Sequence, residues 1–231
     1  MPIPRTFLVI LAAILASWAG PAWAGQATPV GSIAGKVLFP PTLSTPPANQ
    51  QVMLHTIKGG EVVNSQSQTL DAEGRFHFRS LVPDPQYTYL VSIRFQGVTY
   101  HSDRLILTPE QPSLEQVSLA VYEATEDDAA LTIPQDHLII DVFPTHLRIS
   151  EVLIVRNSGD KAITSAHFPL PTGFQDFQVS GENLNSLLQA DQEGVKPLSP
   201  LTPGDRQFLF RYSLPYRGRT FTLSKAYPYP T

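Results

Sequence analysis

The sequence predicts an all-β protein of two consecutive β-sandwich domains that follow a signal peptide. Three observations carry this. The apolar residues recur mostly with a period of two, turn signals punctuate them every few residues, and 22 prolines are spread along the 231-residue chain. Such a pattern suits short half-buried strands and leaves little room for helices. One short helix is expected within 181–192, where Leu184, Leu187 and Leu188 fall on one side.

The first residues set the compartment. Arg5 precedes the apolar run Phe7 to Trp18, Gly20-Pro21 breaks it, and Ala22-Trp23-Ala24 places small residues at both recognition positions of a cleavage site. This is the tripartite plan of a secretory signal peptide, 1–24, with cleavage expected between Ala24 and Gly25. The run is shorter than the roughly 20 residues needed to span a hydrocarbon core. No similar run follows, so no transmembrane helix is expected in the mature chain. The expected location is extracytoplasmic: secreted, periplasmic or on the outer face of the cell membrane.

Loss of Arg5 with the leader leaves fifteen basic against twenty acidic residues, a net −5 with histidine neutral. A mildly acidic surface gives nucleic acid or anionic lipid no electrostatic reason to bind. With no cysteine in the chain, an exported protein must hold together by packing alone, which suits domains of about 100 residues.

The first domain, 25–122, reads as seven strands. Ser32 to Phe39 alternates with Ile33, Val37 and Phe39 inward, and Gln51 to Ile57 with Val52, Leu54 and Thr56 on one face. Gly59-Gly60 turns the chain into Glu61 to Thr69. After the turn Asp71-Ala72-Glu73-Gly74, Arg75-Phe76-His77-Phe78-Arg79 alternates strictly, with both Phe inward and His77 outward. Tyr87 to Phe95 aligns Tyr87, Tyr89, Val91, Ile93 and Phe95; Gln96-Gly97 leads to Val98 to His101, and Leu114 to Tyr122 closes the domain.

The order Gly31-x-Ile33-x-Gly35-x-Val37, Ala48 with Val52 and Leu54, Thr69-x-Asp71-x-x-Gly74-x-Phe76-x-Phe78-x-x-Leu81 and Tyr89-x-Val91 resembles the carboxypeptidase regulatory-like domains over residues 31–122. The resemblance implies a transthyretin-like (prealbumin-type) sandwich, an accessory role and no catalytic residues of its own. Starch-binding domains share that general architecture, which keeps sugar binding in view by analogy alone.

Glu123 to Ala130 is acidic and reads as a linker. The second domain, 131–231, has strands at His137 to Phe143 and Leu147 to Val155 around Pro144-Thr145, and at Gln207 to Leu214, where Phe208, Phe210, Tyr212 and Leu214 alternate inward. An immunoglobulin-like or fibronectin-like packing is the expectation. Arg219 to Lys225 reads as a last strand. The end at Thr231 is then either a tail or a sandwich that continues beyond it, and the reading favours the second.

No constellation promises catalysis or a cofactor. His55, His77, His101, His137, His146 and His167 lack chelating spacing, and without cysteine they read as scattered surface residues. Ser158-Gly159-Asp160-Lys161 has the bare Ser-x-x-Lys spacing, but in a turn and with no Lys-Thr-Gly anywhere. Glu123, Glu126, Asp127 and Asp128 are oxygen donors of the kind Ca²⁺ takes, yet a solvated linker explains them without an ion. Both tryptophans, Trp18 and Trp23, leave with the leader, so sugar platforms fall to Tyr100 and to Tyr216, Tyr227 and Tyr229. The expected function is non-catalytic interaction or scaffolding with a protein or cell-envelope component. The alternative is a carbohydrate-binding accessory module.

Overall fold

The computed structural model describes residues 30–43, 45–180, 187–216 and 220–231. The expected leader and its Ala24-Gly25 junction lie outside them. Among the described residues there are strands and no helix, so the fold is all-β.

Seven strands form the first sandwich: β1 (Gly31–Leu38), β2 (Gln51–Lys58), β3 (Glu61–Thr69), β4 (Arg75–Leu81), β5 (Tyr87–Phe95), β6 (Val98–His101) and β7 (Ser113–Ala120). They make an antiparallel four-stranded sheet, β3-β2-β5-β6, facing a three-stranded sheet, β4-β1-β7. Gly59 and Gly60 (φ 60° and 88°) supply the left-handed pair that a two-residue hairpin turn requires. Inward residues of both sheets share one core: Ile33, Val37, Phe76, Phe78 and Leu119 from one, Val52, Leu54, Tyr89, Val91, Ile93 and Phe95 from the other. Tyr89 reaches across it, and its hydroxyl both donates to the Val82 carbonyl and accepts from the Val82 N–H, each at 2.9 Å.

The β1–β7 pairing is parallel and spans some eighty residues of sequence. Gly35 marks its tightest point. A Cβ there would lie 2.0 Å from the Val117 carbonyl oxygen and 2.7 Å from the Phe76 ring.

The acidic stretch is not a free tether. It carries β8 (Ala124–Thr125), which pairs in parallel with β11 (Ala162–Ile163). Ala162 is itself buried in the first core. Glu123 accepts from the Thr42 hydroxyl (2.8 Å), and Ser165 donates to the Glu126 carbonyl (2.8 Å).

The second core lies between two further sheets. β9 (Leu131–Val142) and β10 (His146–Asn157) form a long hairpin. With β13 (Gln175–Ser180) and β16 (Gly204–Pro215) they make the sheet β13-β16-β10-β9. Opposite stand the short β12 (Phe168–Pro169), β14 (Leu188–Ala190) and β15 (Gly194–Pro197), in the order β12-β15-β14. Leu188 to Ala190, within the 181–192 stretch expected to hold a short helix, is a strand: cross-strand pairing with Val195 to Pro197 overrides the leucine pattern there. Residues 181–186, Leu184 among them, lie outside the described residues. Of the expected final strand, Arg219 to Lys225, the described residues 220–225 form no strand. Residues 220–231 pair with no ladder and instead pack against the second core through Leu223, Tyr227 and Tyr229. Pro228 and Pro230 have no N–H to give a sheet. Ile133 donates to the Pro230 carbonyl (2.8 Å), and Tyr229 packs edge-on to Phe168.

The strand register makes a direct prediction. Phe76 and Phe78 are 3% exposed and His77 is exposed between them. Truncating either Phe to Ala will cost about 3–5 kcal/mol in denaturant unfolding. His77→Ala will change stability by less than about 0.5 kcal/mol; a reversed order would mean a register shifted by one residue.

Candidate functional site

Sheet edges, more than side-chain clusters, distinguish the surface of this molecule. In the first sandwich β7 has β1 on one side and, among the described residues, no strand on the other. Val121 donates its N–H to the Leu38 carbonyl (2.9 Å). With the two-residue period of a strand, Val117 and Leu119 also turn their backbone groups towards β1, while Ser118 and Ala120 turn theirs to the open side. A register shift between Leu114 and Val117 interrupts this parity at Glu115 and Gln116. Two grooves flank this edge. One, of about 590 Å³, runs over the outer face of β4-β1-β7 and is lined by Lys36, Arg75, His77 and Glu115 among others. The second, of about 550 Å³, separates β7 from Ser102, Asp103 and Leu105. They share Glu115 to Ser118.

Within the first groove the charges are mixed and locally tied. Asp71 accepts from the Arg75 N–H (2.7 Å) and from its guanidinium (2.9 Å). The backbone donation from Arg75, helped by the guanidinium, holds the Asp71 carboxyl below its ordinary range. The opposite edge strand, β4, is partly capped: the Gln68 side-chain oxygen accepts from the His77 N–H at 2.9 Å.

The residues singled out from sequence are placed apart. Ser158 donates to the Ala130 carbonyl (3.0 Å), while Lys161 faces Glu123 (3.7 Å), so the Ser-x-x-Lys pattern is part of the junction. Asp127 accepts from the Ala129 N–H, and among the described residues no three His, Asp or Glu converge as metal ligands would. Of the tyrosines expected as sugar platforms, Tyr100 and Tyr229 are buried and Tyr216 and Tyr227 half-buried. Tyr100 is 4% exposed and donates to the Tyr122 carbonyl (2.7 Å). Tyr216 donates to the Phe143 carbonyl, and the Tyr229 hydroxyl accepts from the His167 N–H.

Two groupings were invisible in the sequence. The first lies on the outer face of β2-β5-β6, where His55 bonds Ser65 (3.0 Å) and Ser92 (2.9 Å), and Ser92 stands opposite His101 on β6. Burial, with the adjacent His55, pushes the His101 imidazole below its usual range. The second is a charged clamp inside the second core. Glu151, on the inward face of β10 and 1% exposed, meets Lys225, Tyr227 and Tyr212 (3.4 Å). The Tyr227 hydroxyl lies 2.8 Å from Asp136 and 3.0 Å from Glu151, and Lys225 lies 3.8 Å from Asp136. Burial raises the Glu151 carboxyl, opposed by the Lys225 ammonium. Burial and the Glu151 carboxylate hold both tyrosines upward.

No protein-family model matches the sequence, and no curated protein matches it. Among solved structures, a DUF3823 family protein from Parabacteroides merdae is similar at 13% identity and a TM-score of 0.31, over 79% of this chain and 81% of that one. A likeness this slight transfers no property.

The clamp generates a prediction. Lys225→Met leaves Glu151 and Asp136 in the core without their cation and will cost about 3–5 kcal/mol near neutral pH. A raised folded-state carboxyl lends stability that is full below its unfolded value and lost as pH rises through the folded one. Urea titrations will therefore show the deficit of the variant narrowing as pH is lowered towards 4.5, the ordinary value for Glu151. A pH-independent deficit would mean the ammonium acts through packing alone.

Proposed function

We propose that this chain is a non-catalytic, extracytoplasmic interaction protein whose first sandwich takes up an extended segment of a partner protein along β7. The observation that carries the reading is the open β7 edge set between two grooves. An edge strand offers main-chain hydrogen bonds to any extended peptide, and flanking grooves take its alternating side chains. The N-terminal pattern ending at Ala24 supports export. Among the described residues no helix is long and apolar enough to cross a membrane. The resemblance of residues 31–122 to carboxypeptidase regulatory-like domains supports an accessory role. The burial of Tyr100 and Tyr229 weighs against the carbohydrate alternative.

Selection of displayed random peptides against the purified chain tests this, with binders mapped by amide chemical shifts and a glycan array run in parallel. Bound peptides will perturb Glu115 to Ser118. Ser118→Pro, which removes an outward N–H but none bonded to β1, will weaken them by about tenfold, the worth of one well-made bond. Glycan binding, or peptides that all map elsewhere, would overturn the reading.

A further inference from the structure

A second open edge points to self-association. β9 is the outer strand of β13-β16-β10-β9. Its first part is covered, because Ile133 donates to the Pro230 carbonyl and Asp136 is held by Tyr227. Its far end is closed by the two-residue turn Pro144-Thr145, where the Phe143 N–H donates to the His146 carbonyl. Among the described residues nothing pairs with the backbone between these limits, and the open stretch is centred on Ile139. It is apolar for an exposed edge: Ile139 is 62%, Ile140 44% and Val142 70% exposed.

Hydrogen-bond parity decides which registers a partner strand can take. Phe143 bonds inward to His146, so Asp141, Ile139 and His137 also bond inward to β10, while Leu138, Ile140 and Val142 present N–H and C=O outward. In an antiparallel pairing of β9 with β9 of a second copy, outward residues must meet outward residues. Centred on Ile139, the register does so: Leu138 meets Ile140 of the second copy, and the reverse. It also sets His137 opposite Asp141 twice, on the same face as the central Ile139 pair. Shifting the centre to Leu138 or Ile140 keeps the parity but parts His137 from Asp141 of the second copy. The segment His137-Leu138-Ile139-Ile140-Asp141 is therefore its own complement, polar at its ends with opposite character and apolar between.

We propose that two copies of this chain associate about a two-fold axis at Ile139, joining their β9 edges into one eight-stranded sheet. A two-fold interface uses the same patch on both partners, which is what self-complementarity of this kind provides. The pairing would also remove an apolar edge that is otherwise open to indiscriminate strand addition. It leaves β7 free for its own partner.

The test is sedimentation of the purified full chain over a range of concentrations, with circular dichroism and thermal unfolding as checks on the fold. Wild type will show a reversible monomer–dimer equilibrium. His137→Asp sets carboxylate against carboxylate twice and will weaken association by at least ~10-fold, the effect of two like-charge cross-strand pairs. The double exchange His137→Asp with Asp141→His restores both pairs and will restore the dimer. Ile140→Pro, which deletes an outward N–H, will abolish it. A wild-type chain that stays monomeric throughout would overturn the proposal. So would a dimer indifferent to His137→Asp, or a folded double exchange that fails to recover.

Discussion

A sheet that does not close on itself leaves two rows of backbone donors and acceptors, and every such row must be paired, capped or left for a partner. This constraint organises the molecule. Its two principal sandwiches are built from open sheets, and without cysteine no disulfide ties their edges down. The edges are met by different means. Gln68 bends its side chain onto β4, Pro230 closes the start of β9, and β3 carries a run of Asn, Ser and Gln at the rim of its sheet. Among the described residues, the outward groups of β7 and of the far half of β9 receive none of these.

The clamp on Glu151 belongs to the same logic. The second core has a hairpin of two twelve-residue strands on one side and only strands of two to four residues on the other. Residues 220–231 supply the missing cover, and Lys225 and Tyr227 attach that cover to β10 and β9. A buried ion pair adds little net stability over an apolar one, but it penalises any arrangement that leaves its partners apart. The position of the segment is thereby specific, and so is the point at which it stops covering β9.

Much of this was legible from alternation alone. Phe76-His77-Phe78, Tyr89 to Phe95 and Phe208 to Leu214 each carry enough residues for a period of two to show, and each strand appears with the expected face inward. The short strands of the second core do not, because two to four residues hold no period. Long-range pairing was equally hidden. The β1–β7 contact, the His55–Ser92–His101 grouping and the Glu151–Lys225 pair join residues tens of positions apart. Lys225 in particular read as the end of a strand, since nothing local distinguishes a side chain that fills a core from one that leaves it. The open edges were legible only as a class: short strands imply edges, but which remain uncovered depends on where the proline-rich end lies down.

The claim that two edges are open is tested most directly by residue-level amide hydrogen exchange, at a concentration that keeps copies apart. Within single strands protection will alternate. Leu138, Ile140 and Val142 on β9, and Ser118 on β7, will exchange nearly as unstructured amides do, while Ile139, Asp141 and Leu119 beside them are protected. Uniform protection along both strands in the monomer would mean that the edges are already covered, and would contradict the account.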